Sequence, residues 1–259
     1  MESDPTKRFS SRVEDYIRYR PSYPEAIIPW LERECGLTAE SRIADIGSGT
    51  GILARLFLHF GCHVFGVEPN ADMRAGAERQ LAGEPRFHSV DARAEATTLP
   101  AASVGFVTAG QSFHWFDAAA ARTEFRRILE PGGWVVLVWN ERLVTPGFLA
   151  EYEDLLQRLS TDYGRVDHRQ IGDEAIGRFF GHERWRAASF PNHQDFDWEG
   201  IRGRLLSSSY VPLPGSPKYA PMMEELAAIF ARHQQGGEVK VVYETKMYVG
   251  QLGDDPACD

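Results

Sequence analysis

Asp45-Ile46-Gly47-Ser48-Gly49-Thr50-Gly51 places an acid two residues before three alternating glycines, and a short apolar run leads into it. Ile52, Leu53, Leu56, Phe57 and Phe60 follow at helical spacing, so the stretch reads as strand, tight turn and helix. Glycine lacks a Cβ, takes up positive φ and lets a ligand lie against the main chain. The helix beyond offers unpaired N–H groups and a partial positive charge. A second acid, Glu68, closes the apolar run that begins at Cys62. It stands about 20 residues past the turn, the offset at which a doubly wound fold presents a carboxylate to a ribose diol. An ionised carboxylate accepts both hydroxyl hydrogens in a charge-assisted pair.

The spacing narrows the ligand. A dinucleotide site uses G-x-G-x-x-G, and a phosphate-gripping loop ends in Gly-Lys-Ser/Thr. Here the pattern is G-x-G-x-G with neither ending. It suits a ligand without a pyrophosphate but with a charged amino-acid end.

Further along, Gln111, Phe113, His114 and Trp115 follow the expected strand Val104 to Ala109. Open α/β sheets bind ligands beyond the carboxyl ends of their strands, so these residues are placed to meet both a cofactor and an acceptor. His114 is the candidate general base for an acceptor that must shed a proton, while Phe113 and Trp115 are candidate walls. A carboxylate acceptor would need no base but a cationic clamp, for which Arg20, Arg142 and Arg204 are candidates. No His, Cys, Asp or Glu grouping has metal-ligand spacing, and no metal is expected.

Asp45 to Gly51 and Gly66-Val67-Glu68-Pro69-Asn70 resemble the first two motifs of class I S-adenosylmethionine-dependent methyltransferases. Tyr19-Arg20-Pro21-Ser22-Tyr23-Pro24, Ala94-Glu95-Ala96-Thr97, Gln111 to Asp117, Ser207-Ser208-Ser209-Tyr210 and Tyr248 to Leu252 are similar to its type 11 small-molecule branch. Trans-aconitate methyltransferases are among that branch's members. The resemblance implies S-adenosyl-L-methionine as cofactor. It would be held by Tyr16, Arg20, Asp45, Gly47, Ser48, Gly49, Thr50, Gly51, Glu68, Pro69, Asp91, Ala94, Glu95, Gln111, Phe113 and Trp115. It also implies that the basic, aromatic segment before Tyr23 folds over the cofactor as a lid, with Tyr16, Arg20 and Tyr23 at matching positions. In similar enzymes an acid after the third strand takes the exocyclic amine of adenine; Asp91 and Glu95 both qualify, and spacing does not choose between them. The implied fold is α/β, with a Rossmann-like, mostly parallel seven-stranded sheet of order 3-2-1-4-5-7-6. Helices cover both faces, the last strand runs antiparallel, and a helical cap follows the fifth strand. One departure is Gly105, where relatives commonly carry an acid; that position opens its strand, away from the ligand edge.

The elements that must position these residues are legible to different degrees. Pro24 suits a first helical position, Ala26, Ile27, Trp30 and Leu31 form an apolar face, and Gly36 marks the stop. Asn70 is the expected N-cap of a helix bearing Met73, Ala77 and Leu81. Arg86 to Val90 is the expected third strand. A helix from Ala118 to Leu129 then turns at Pro131-Gly132-Gly133 into Trp134 to Asn140, which reads as a strand buried on both faces. In the second half, Phe148 to Leu159 reads as an amphipathic helix and Arg186 to Phe190 as a strand. The stretch from Asp197 to Pro221 reads as loop-rich. Met222 to Phe230 marks a helix and Glu238 to Leu252 a last long strand. The chain divides into a lid and first helix (1–36), a cofactor core (37–140), and a cap with the last strands (141–259).

At 259 residues, 43% hydrophobic and 25% charged, the composition is that of a globular domain. No stretch approaches the roughly 18–20 apolar residues of a membrane span, and the acidic, polar start does not resemble a signal peptide. Cys35, Cys62 and Cys258 cannot all pair, so a reducing cytoplasm is expected. A net charge of −9 argues against a nucleic-acid partner. The reading is therefore methyl transfer to a small organic acceptor. Its alternatives are a non-catalytic cofactor-binding regulator, an NAD-type oxidoreductase disfavoured by the glycine spacing, and macromolecular methylation disfavoured by acidity. Oligomeric state leaves no signal.

Overall fold

The computed structural model describes residues 13–161, 163, 173–181 and 184–253. Lys7, Arg8, Phe9 and Arg12 of the expected lid, and Cys258, lie outside them. In chain order the elements are α1 (Val13–Tyr19), α2 (Ile27–Cys35), β1 (Arg42–Ile46), α3 (Ile52–Phe60), β2 (His63–Val67), α4 (Ala71–Gln80), β3 (Phe87–Val90) and β4 (Val104–Gly110). They continue with α5 (Ala118–Ile128), β5 (Leu129–Arg142), α6 (Phe148–Leu159), α7 (Asp173–Phe180), β6 (Arg186–Phe196), α8 (Trp198–Leu206), α9 (Tyr219–His233) and β7 (Val239–Gly250).

The strands form one sheet ordered β3-β2-β1-β4-β5-β7-β6. β1 to β5 pair in parallel, and β7 runs antiparallel to both of its neighbours. Successive side chains of a strand point to opposite faces. Ala44 and Ile46 therefore join α5 and α7 in one apolar layer, while Ile43 joins α2 and α3 in the other. Local chemistry sets the helix ends. Gly36 closes α2 with φ 71°. Asn70 Oδ1 accepts from the N–H groups of Asp72 and Met73, both at 3.0 Å, and so caps α4.

Four features differ from the sequence reading. α2 starts at Ile27 rather than at Pro24, which instead accepts a turn hydrogen bond from Ile27. β5 begins at Leu129 and carries Pro131-Gly132-Gly133 through a register shift, between the pairs Val104↔Leu129 and Phe106↔Trp134. The turn residues are thus absorbed as a bulge. β6 extends to Phe196 because it pairs with β7 along its whole length. Finally, α8 lies within the stretch read as loop, started by Asp197 Oδ1 accepting from Gly200 N at 2.7 Å.

A third apolar cluster builds the cap. It joins α6, α8 and α9 to Phe196, Val239, Val241 and Tyr243 on the extended ends of β6 and β7. The cap thus draws on two connections, β5–β6 and β6–β7, while α7 packs on the main sheet. α1 lies between core and cap. Val13 and Ile17 approach Gly76 of α4, and the Tyr19 ring occupies the space a Cβ on Gly203 of α8 would need. Among the described residues no helix is long and apolar enough to cross a membrane.

Candidate functional site

β1 and β4 lie side by side at the centre of the sheet, and their carboxyl ends open onto a cleft. The glycine turn forms its floor. Gly47 has φ 64°, and a Cβ there would come within 2.6 Å of Ser112 Cβ, so no larger residue fits. The turn is pinned from both sides. Gly47 N and Ser48 N donate to Val67 O at 2.8 and 3.2 Å, and Ser112 Oγ donates to Ile46 O at 2.8 Å.

Glu68 stands at the rim of this turn. Its Oε2 accepts from Gly49 N at 2.9 Å and its Oε1 from Asn70 N at 2.8 Å. Each carboxylate oxygen has two lone pairs, so one on each oxygen remains for a ligand. Burial raises the Glu68 pKa, while the Asn70 and Gly49 N–H groups oppose that rise.

The cleft is lined by Tyr16, Gly47, Gly49, Glu68, Pro69, Asn70, Met73, Arg93, Ala94, Glu95, Gly110, Gln111, Ser112, Trp115 and Phe116. Nine expected cofactor residues are in that lining: Tyr16, Gly47, Gly49, Glu68, Pro69, Ala94, Glu95, Gln111 and Trp115. Gln111 is held with φ 57°, and its Nε2 donates to Asn140 O at 3.1 Å.

The remaining expected residues lie elsewhere. Asp45 is buried beneath the turn, where its Oδ1 accepts from Thr108 Oγ1 at 2.9 Å and its Oδ2 has no hydrogen-bond partner among the described residues. Burial pushes its pKa up to about 7, although the Thr108 bond opposes the rise. Ser48, Thr50 and Gly51 belong to the turn's underside: Ser48 Oγ faces Gly66, Thr50 is buried against Gly76, and Gly51 begins α3. Asp91 points to solvent and pairs with Arg74 at 2.9 Å, whereas Glu95 faces the cleft and accepts from Asp117 N at 3.0 Å. Of the two acids that spacing left open, only Glu95 lines the cleft.

Phe113 is not a cleft wall. A 3-10 turn, Phe113–Trp115, rotates its ring into the core, 4.6 Å from the Phe179 ring centroid, and Phe116 takes the wall position. His114 also lies outside the lining; its ring packs 4.7 Å from that of Trp115. Arg20 stands behind Tyr16, with its guanidinium 4.9 Å from that ring and Nη2 donating to Ser207 O at 3.1 Å.

Sequence reasoning missed Asn70, Met73, Arg93, Gly110, Ser112 and Phe116 as lining residues. Asn70 was legible as a cap and as the end of the second motif, and Met73 as an apolar helix position. No sequence signal distinguishes Phe116 from Phe113. Ser112 is explained by a contact sixty-odd residues away, which no local pattern carries.

The family Methyltransf_11, described as a methyltransferase domain, matches residues 44–137. The uncharacterized methyltransferase C25B8.09 of Schizosaccharomyces pombe is 31% identical over 90% of this chain and 92% of its own length. The methyltransferase-like C25B8.10 of the same yeast is 28% identical over 93% and 94%. Among solved structures, a protein assigned to the type II methyltransferases, from Anaeromyxobacter dehalogenans, superposes with a TM-score of 0.70 at 24% identity, over 90% of this chain and 98% of that one. Phosphoethanolamine N-methyltransferase 2 of Haemonchus contortus, solved with S-adenosyl-L-methionine, gives 0.56 at 15% identity, over 96% of this chain and 59% of that one. These two likenesses show a shared fold. The full-length match to the yeast protein, the domain match over β1 to β5 and the sheet order agree: the chain belongs to the class I S-adenosylmethionine-dependent methyltransferases.

Proposed function

We propose that this enzyme methylates a small organic acceptor, binding S-adenosylmethionine across the cleft with its ribose on Glu68. The observation that carries this is the Glu68 carboxylate, braced by Gly49 N–H and Asn70 N–H at the rim of a turn that has no room for a side chain. A bare main chain beside an acid suits a ligand that brings a sugar diol and an amino-acid end to one place. When bound, the cofactor supplies an activated methyl group, displaced in line by an acceptor lone pair as the carbon–sulfur bond breaks and its electrons remain on sulfur.

The protein's part is positioning and exclusion of water. Glu95 and the neighbouring Ala94 backbone are the adenine-side contacts in this reading, with Pro69 beside them. Gly47 and Gly49 carry the amino-acid end, and Gln111, Trp115 and Tyr16 enclose the reacting centre. Tyr16 belongs to α1, so the lid completes the enclosure. The acceptor approaches from the cap side, and no proton transfer through His114 is required. Resemblance to the trans-aconitate enzymes does not by itself choose the acceptor.

Calorimetry with S-adenosylmethionine, S-adenosylhomocysteine and NAD tests the cofactor. Micromolar binding of the first two and none of the third is expected. Turnover of labelled cofactor against a metabolite library, read by mass spectrometry, tests the acceptor class. Tight cofactor binding without any turnover would instead favour a regulatory binder.

A further inference from the structure

Under the cap, beside the cleft, three arginines lie among tyrosine rings, and of the three the Glu153 carboxylate pairs with Arg142 alone. Arg142 bonds to Glu153 and to Tyr163 Oη, the latter at 3.1 Å, and lies over the Tyr152 ring at 5.0 Å. Arg204 is buried; its Nε donates to Tyr243 Oη at 3.2 Å and its Nη1 to Ser208 Oγ at 3.3 Å. Arg20 is half-buried and bonds to the adjacent Ser207 carbonyl. Among the described residues, Glu153 is the one acidic side chain bonded to any of the three. Two positive charges are thus uncompensated in a region from which water is largely excluded. Buried charges are normally paired.

Two further observations show that the cluster is incomplete. Arg20 Nε and Arg142 Nη1 are buried donors with no hydrogen-bond partner among the described residues. Burial and the neighbouring Arg204 charge also lower the Arg20 pKa, whereas for Arg204 the effect of burial is outweighed by Tyr243, Tyr152 and Tyr210, and its pKa is raised. The cluster adjoins the cleft. Tyr16, on which Arg20 stacks, lines it. Tyr23 Oη lies against the cleft residue Gly110 and forms no hydrogen bond among the described residues. Gln194 continues the polar wall, accepting from Tyr243 Oη at 3.0 Å.

We propose that Arg20 and Arg204 form an anion subsite for the methyl acceptor, which is therefore a small organic carboxylate. This rests on the methyl-transfer reading above and specifies its acceptor. A carboxylate brings the missing negative charge and accepts from guanidinium N–H groups in the fork geometry arginine favours. The Tyr23 hydroxyl supplies a further donor, whereas those of Tyr163 and Tyr243 are already given to Glu153 and Gln194. Arg142, already paired with Glu153, forms the outer wall.

The test separates this subsite from the cofactor site. The full chain is first saturated with S-adenosylhomocysteine. It is then titrated calorimetrically with a panel of mono-, di- and tricarboxylates and with their carboxamides. At least one carboxylate is expected to bind, with its amide weaker by about tenfold or more. Arg204→Met should weaken that carboxylate by about tenfold or more, Arg204→Lys should recover part of the loss, and S-adenosylhomocysteine affinity should be unchanged in both. Should Arg204→Met fail to fold, Arg20→Met at the half-buried position carries the same expectation for the carboxylate. No carboxylate binding up to about 10 mM with S-adenosylhomocysteine still bound would overturn the subsite and leave methyl transfer intact. Equal binding of acid and amide, or of wild type and the methionine variants, would overturn it too. Failure of the wild type to bind S-adenosylhomocysteine would instead overturn the underlying reading.

Discussion

Replacing Glu68 by glutamine keeps its shape and removes its charge. The wild-type carboxylate already accepts one main-chain N–H on each oxygen, from Gly49 and Asn70. A ribose diol would add one hydrogen bond to each. Hydrogen bonds to a charged group contribute about 1.5–3 kcal/mol each. Glutamine retains one acceptor oxygen and turns an amide NH2 toward either Gly49 N–H or Asn70 N–H, so one brace becomes a clash of donors. Against this, the wild-type charge is itself costly to bury, as its raised pKa shows, and the amide removes that cost. The balance is a loss of about 2–3 kcal/mol in cofactor binding, or roughly 30- to 150-fold in Kd. Calorimetry with S-adenosylhomocysteine measures it, and a melting curve confirms that the variant folds. A folded Glu68→Gln protein that binds within about threefold of wild type would refute the ribose assignment and the argument built on this carboxylate.

Asp45 yields a pH prediction. Its folded pKa of about 7 lies above the ordinary 3.8, so the native state holds the proton more tightly than the unfolded chain does. The associated stability is fully present below about pH 4 and is lost as pH rises to about 7. Asp45→Asn should therefore gain on wild type across that window, by up to about 4 kcal/mol from the size of the shift; denaturant unfolding at several pH values should show it, and a flat difference would count against the burial argument. His114→Ala should keep kcat within a few-fold of wild type, because the ring packs on Trp115 outside the cleft; a collapse of kcat with unchanged cofactor affinity would restore it as a base. Gly203→Ala should displace the Tyr19 ring at a cost of about 1–3 kcal/mol, raising the acceptor KM and exposing α1 to protease while the melting temperature of the core changes little.

The parts of the fold that sequence disclosed are those whose cause is local. The glycine turn, the Asn70 cap and the Gly36 stop each act within a few residues. α8 was hidden because its sequence, Trp198 to Leu206, carries Gly200 and Gly203, both poor helix formers. Gly203 is accounted for by the ring of Tyr19, far away in sequence. The exchange of Phe113 for Phe116 as cleft wall has the same origin: a short 3-10 turn sets which ring meets Phe179. Spacing could nominate both Asp91 and Glu95, but not that the former pairs with Arg74 and the latter lines the cleft. The arginine cluster was legible as three candidates, but their gathering among the tyrosines depends on the packing of cap against sheet.

α1 leans on Gly76 of the core and Gly203 of the cap at once, and Tyr16 hangs from it into the cleft. Seven residues thus bridge the core and the cap. If Tyr16 encloses the methyl donor as proposed, lifting them would open the nucleoside side and the acceptor side together, and seating them would close both to solvent. A change in α1 would then be felt at both ends of its packing, on Gly76 and on Gly203.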